Sequence, residues 1–323
     1  MAASLIANPE HEAAPIDHRI DGGANQEVSS LVDGTIGTRR EKSASLSLPN
    51  LDLRVWLIFP TVLLIIVVMA VPVAMLLGRG FSEPSWGLQN FQKILTQSLY
   101  LKVALNTVVI SGSVTLLSLL LGYPLAYTIA HARAGVRKML MLVILVPLWT
   151  SLLVRSFAWM VLLQDNGIIN QTLQYIGLTS GPLSLIYNRA GVLIAMTHVM
   201  LPLMVLPLYS VMSQINGNIV KAASTLGAGP VSAFFKVYLP ISIPGIISGC
   251  TLVFVLCLGY YVTPSLVGGR GDLMVGQLIA LQVGQLGNWG IAGALCTSLL
   301  VGVLIVFAPL SLLAGSRRKW IGR

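Results

Sequence analysis

Residues 213–243 read SQINGNIVKAASTLGAGPVSAFFKVYLPISI and lie between two apolar stretches. The segment is itself too apolar and too well punctuated to be a linker. Gly217 closes the preceding apolar helix, and Asn218 is placed to cap a short helix, IVKAASTL. Gly227 supplies a left-handed C-terminal residue. Pro230 suits the first turn of a second helix, VSAFFKVYL, which Pro240 ends. The expectation is two short amphipathic helices at a membrane face. Their Ala-rich and aromatic surfaces are offered either to lipid headgroups or to a protein.

Outward from this loop the chain is soluble in lipid rather than in water. Hydrophobic residues make up 55% and charged residues 10%, against about a quarter charged in a globular domain. A bilayer core of about 30 Å needs about 20 apolar residues in a helix. Six stretches meet that need, approximately 55–77, 103–130, 139–163, 190–212, 244–267 and 291–314. The expected class is therefore an all-α integral membrane protein of six transmembrane helices. Pro72, Pro124, Pro147, Pro202 and Pro207 lie inside these stretches, where neighbouring helices take up the carbonyls that a proline frees.

Eight of the eleven Asp and Glu fall in the first 52 positions. Residues 1–50 have few aromatics and no apolar periodicity, so they are read as a disordered cytoplasmic tail. They lack the apolar run of a secretory signal. Residues 51–323 form the membrane domain. With the N-terminus inside, fourteen Lys and Arg lie on the inner side, among them Arg133, Arg137, Lys138, Lys221, Lys236 and Arg317. The outer side holds five, Arg79, Lys93, Lys102, Arg189 and Arg270. The positive-inside rule then places both termini in the cytoplasm. The net charge of +9 flanks the spans rather than forming one basic face, which argues against nucleic-acid binding. Cys250, Cys257 and Cys296 sit in apolar stretches with no CxxC and no adjacent His, so they read as small hydrophobes and no metal site is expected.

KAASTLGAGPVSAFFKVYLP resembles the cytoplasmic-loop signature of ABC importer permeases: an EAA triplet, then Gly, then an aliphatic-x-Leu-Pro. The matching positions are Ala222, Ala223, Gly227, Val237, Leu239 and Pro240. Further segments are similar to the spermidine/putrescine branch of that family: GYPLAYTIA, LVPLWTSLLVRSFAW, LPISIPGIISGCTLVF, YYVTPSLVGG and NWGIAGA. The resemblance covers about residues 50–315. It implies a type I importer permease fold in a bacterial inner membrane, with the loop as the coupling helix that docks on a separate ATPase dimer. It also implies a second permease subunit and an extracytoplasmic solute-binding protein as partners. The family's leading Glu is Lys221 here. An acid near a helix N-terminus is favoured by the macrodipole and a cation disfavoured, by about 0.3–1 kcal/mol. The ATPase groove is thus expected to offer an acidic or neutral partner at this point.

For a polyamine path the candidates are Arg155, Trp159, Asp165, Tyr260 and Tyr261, with Trp149 and Asp272 nearby in the pattern. Aromatic faces attract amines by about 0.5–2 kcal/mol, but interfacial belts and packing account for most aromatics at such depths. Arg155 is the one charge well inside a span, and it either marks a functional site or bonds kinked carbonyls. His198 reads as a packed ring with its nitrogens satisfied, and Asn106 and Thr107 as interhelical hydrogen-bonders. No GxxxxGK[ST], HExxH or GxSxG occurs, so no cofactor and no enzymatic site are expected on this chain. A self-sufficient secondary transporter fits less well, because no intramembrane acid is available for ion coupling. A membrane scaffold would leave the loop without a purpose.

Overall fold

The computed structural model describes residues 53–321, with side chains over residues 59–305. The expected tail, 1–50, lies outside the described residues. The chain divides into two units, Met1–Thr61 and Val62–Arg323. Of the first only the opening turns of helix α1 are described, and the architecture below is that of the second. The described residues form helices and turns, with no strand among them.

Helix α1 (Leu53–Ser82) stands exposed along its apolar length from Val62 to Met75. It ends where the buried Asn90, on α2 (Gln89–Thr96), donates to the carbonyls of Gly80 (3.0 Å) and Glu83 (2.6 Å). Carbonyls at a helix end need such partners when water is excluded. Near that end Gly80 meets Gly293 of α13 (Trp289–Ile321). A Cβ on Gly80 would lie 2.7 Å from Ala294 N, and one on Gly293 would strike Leu76 O and sit 2.6 Å from Gly80 N. Only paired glycines allow backbones this close.

The centre of the bundle is built by α3 (Ser98–His131), α7 (Arg189–Met212) and α10 (Leu239–Leu258). Ile110, Val114, Met196, Met200, Met204, Val205, Leu208 and Val253 are buried together there. Small residues set the spacing. A Cβ on Gly122 would lie 3.1 Å from Met204 Cγ, and one on Gly249 would lie 2.8 Å from Met204 Sδ. Helices that are apolar all round thus find their register through shape and small-residue contact rather than through an amphipathic stripe.

Two of the expected spans are interrupted. Residues 139–163 do not form one kinked helix: α4 (Ala134–Trp149) and α5 (Leu152–Leu162) meet at 101°. Pro147 lacks an N–H, Thr150 and Ser151 turn extended, and the Thr150 hydroxyl takes the Pro147 carbonyl at 2.8 Å. Residues 244–267 break likewise at Gly259–Tyr261, between α10 and α11 (Val262–Val267). Beyond α5 lies the short α6 (Ile168–Tyr175). A 3-10 turn, Arg270–Asp272, leads from α11 into α12 (Val275–Gly284). Four helices among the described residues are long and apolar enough to cross a membrane, or five if the bent α4–α5 pair is one span. The sixth expected stretch falls in α13, whose described apolar part, Trp289–Ile305, is shorter than a span.

Candidate functional site

Two places gather the candidate residues. At one end of the bundle lies the 213–243 loop. Its first helix, α8, spans Gly217–Thr225 and is capped by Asn216, whose side chain accepts from Asn218 N at 3.0 Å. The cap is therefore Asn216, two residues before the expected one, and Gly217 opens α8 instead of closing α7. Either Asn satisfies the preference for a short acceptor, and the 216 position wins because α7 has already ended at Met212. Gly227 takes φ +86, as the left-handed stop requires.

Pro230 starts the second helix at its first turn, as expected. Pro240 does not end it. α9 (Pro230–Ala233) passes through a π-helical turn, Phe234–Tyr238, straight into α10, so that Pro230–Leu258 is one unbroken rod. Leu239 N–H donates five residues back to Phe234 O, so the ladder is already shifted where Pro240 has no N–H to offer. A helix interior pays for proline chiefly through that lost bond and a carbonyl clash, and the wider turn relieves both.

The expected docking residues lie on this unit. Lys221, Ala222, Gly227 and Pro240 are exposed, and Ala223, Val237 and Leu239 are half-buried. Beside them Ile219, Val231 and Phe235 are exposed and Leu226 stands 89% open, a bare apolar side chain at the tip. Ile215, Val220 and Phe234 turn the other way and pack on the bundle core. The loop is thus a seated platform with one apolar face unpartnered.

The second place is where the two interrupted spans converge. Trp159 on α5 donates from Nε1 to His198 Nδ1 on α7 at 3.1 Å, with the rings edge-on and 5.4 Å apart. Ser156 on α5 meets Thr263 on α11 at 2.8 Å. Arg155 Nη2 donates to Thr150 O at 3.1 Å, the carbonyl exposed by its own chain break, and Nε is buried without a partner. The Tyr260 hydroxyl is also buried without a partner, whereas Tyr261 is exposed. Among the expected path residues, Arg155, Trp159 and Tyr260 are thus placed at these breaks, and Asp165 is exposed outside them. Interrupted membrane helices leave backbone and side-chain polar groups free for a solute.

Asp272 is committed elsewhere. Arg189 donates to it from Nε at 3.0 Å and to Asn106 Oδ1 from Nη2 at 2.8 Å, while Asn106 Nδ2 donates to Gly271 O at 2.7 Å. Thr107 Oγ1 accepts from Val275 N at 2.9 Å. This network fastens α3, α7 and the Arg270–Val275 segment at the end away from the loop.

Sequence reasoning missed Asn90, Asn170 and the Tyr123–Ser242 pair. Asn170 is buried, donates to Gln164 O (3.0 Å) and Leu183 O (2.9 Å), and accepts from Leu183 N (2.8 Å). Among the polar residues of IINQTLQY nothing in the sequence singles Asn170 out. Among the described residues no three His, Cys, Asp or Glu are grouped for a metal, and the three cysteines are unpaired.

A family model described as the binding-protein-dependent transport system inner membrane component matches residues 118–321. The spermidine/putrescine transport system permease protein PotB of Haemophilus influenzae is 32% identical over 246 residues, 76% of this chain and 86% of that protein. The fold is similar to that of a bacterial ABC transporter involved in the import of the acidic polysaccharide alginate. The TM-score is 0.63 at 19% identity, covering 82% of this chain and 96% of that one. The alginate transporter solved with its oligosaccharide-bound periplasmic protein gives a TM-score of 0.62 at 20% identity, with 83% and 96% covered.

Proposed function

The chain belongs to the family of binding-protein-dependent transport system inner membrane components, and from that premise we propose that it is the permease subunit of an ATP-driven polyamine importer. Spermidine or putrescine is the solute, handed over by an extracytoplasmic binding protein. ATP hydrolysis belongs to a separate ATPase dimer seated on the loop, and a second permease subunit completes the pathway. The loop end, with both termini, faces the cytoplasm, and the chain crosses the membrane six times.

The observation that carries this reading is the loop itself. Lys221, Ala222, Gly227 and Pro240 are exposed on a platform anchored by Val220 and Phe234, with Leu226 left bare. A bare leucine at a membrane rim is stabilised when a partner covers it. The 32% identity with a spermidine/putrescine permease supports the solute, and the neighbour bound to its periplasmic protein supports the delivery step.

One observation favours a second reading, in which the solute is amino-acid-like rather than a polyamine or another small cation. Asp272 is taken by Arg189, and the charge at the span breaks is the cation Arg155. Tagged protein is to be purified from its native membrane, its companions identified by mass spectrometry, and labelled spermidine uptake measured in vesicles. Recovery of a P-loop ATPase and a second permease with spermidine uptake is expected. A protein that comes out alone sinks the importer reading, and uptake displaced by amino acids but not by polyamines sinks the solute.

A further inference from the structure

The loop and the polar breaks are the two ends of one rod. Pro230–Leu258 runs from the platform to the Gly259–Tyr261 break beside Tyr260, with no interruption at Pro240. Its hydrogen-bond ladder changes register at the π-turn Phe234–Tyr238, and Pro240 and Pro244 beyond it each leave one bond unmade. Single π turns within α-helices carry one extra residue and are frequent at functional sites.

The turn is held from outside. Phe234 and Tyr238 are stacked, 5.8 Å apart and 14° from parallel. Tyr127 of α3 stands edge-on to both, at 5.9 and 5.0 Å, and His131 lies 5.5 Å from Tyr238. Tyr238 is buried, yet its hydroxyl has no partner. One helical turn further, the Tyr123 hydroxyl donates to Ser242 Oγ at 2.9 Å, and Ser242 donates on to Leu239 O. An aromatic clasp on α3 therefore holds the register of the irregular turn, and the Tyr123–Ser242 bond holds the rod one turn beyond it. A buried hydroxyl without a partner is a cost to the arrangement that holds it.

We propose that the Phe234–Tyr238 π-turn is a two-state joint of the transport cycle, with Tyr127 and Tyr238 as positioning residues that hold the register seen here. Conversion of the turn to α geometry rotates the loop side about 100° and shifts it about 1.5 Å per residue absorbed. A discrete step of this kind is what lets force on the platform reach the polar breaks, since packed interfaces switch rather than bend. The proposal rests on the importer reading.

The test uses the importer complex purified with its ATPase and reconstituted with spermidine-loaded binding protein. ATP hydrolysis and spermidine uptake are measured together, giving solute moved per ATP. Deletion of Lys236 removes the extra residue and locks α geometry. Tyr127→Ala opens the clasp without touching the rod, and Lys236→Ala is the control for charge. Tyr127→Ala is expected to keep the ATPase bound and basal hydrolysis intact, and the deletion is scored on complexes that retain the ATPase. Each lowers solute per ATP by about fivefold or more, the lower end of site-to-site coupling. Lys236→Ala keeps the wild-type ratio. Wild-type ratios in both the deletion and Tyr127→Ala overturn the joint. If the deletion protein does not assemble, the Tyr127→Ala ratio decides. If wild type retains no ATPase, the importer reading fails and the joint falls with it.

Discussion

Arg189 reaches across the bundle to Asp272, Nε to Oδ1 at 3.0 Å, and its second arm holds Asn106. Asp272 is buried, while the Arg189 side chain is about half exposed, so the two partners are not equivalent. Removing the carboxylate leaves Arg189 able to turn to water, and removing the guanidinium leaves a buried acid alone. Arg189→Ala is therefore expected to cost more than Asp272→Ala, about 1–3 kcal/mol for the former and about 1 kcal/mol or less for the latter. Thermal unfolding in detergent measures both. Equal losses, or none, would show that the network does not fasten the three elements.

The Trp159–His198 contact separates structure from transport. Trp159→Phe keeps a ring but deletes the donor to His198 Nδ1, an effect of about 1 kcal/mol on stability. His198→Phe in the same background should add little, because the two act as a pair. Additive losses in a double-mutant cycle would mean that Trp159 serves something other than His198, and a solute contact would then be its better assignment.

At Lys221 the expectation concerns charge alone. The side chain is exposed on α8, so its reversal does not disturb the fold. Lys221→Glu is expected to leave thermal stability within about 0.5 kcal/mol of wild type and to weaken both ATPase retention and uptake, more so at low salt. Uptake at or above wild type with the same ATPase would show that the groove has no acidic or neutral partner there.

Gly293 tests the meeting of α1 and α13. A methyl at Gly293 strikes Leu76 O and Gly80 N, whereas a methyl at Gly112 meets nothing within 4 Å. Gly293→Ala should lower the unfolding temperature and the yield of folded protein. Gly112→Ala should leave both unchanged or raise them, since Ala is favoured over Gly in a helix by about 1 kcal/mol. Identical behaviour of the two variants would contradict the close approach.

Hydropathy made the membrane character legible, and turn chemistry located the loop, including the left-handed Gly227 and the Pro230 start. Three things were not legible, for physical reasons. Pro147 reads as a kink because a proline signals a weakened helix, not its angle; the 101° bend depends on Thr150 and Arg155 taking the carbonyls that it exposes. Pro240 reads as a stop because a π turn leaves no pattern in side-chain type. Asp272 looked available because its partner Arg189 lies 83 positions away in sequence. At the candidate site, Trp159 and His198 were each singled out, yet nothing in either one's neighbours indicated that they were partners.

The pairing of Gly80 with Gly293 has a consequence for biogenesis. The apolar length of α1 touches little before Gly80, so this helix can partition into lipid as soon as it is made, with every backbone bond satisfied internally. Beyond the nearby α2, its close neighbour among the described residues is Gly293, more than two hundred residues downstream. The contact of Gly80 with Gly293 therefore forms only after synthesis of α13, and until then α1 is an anchor waiting for its clasp.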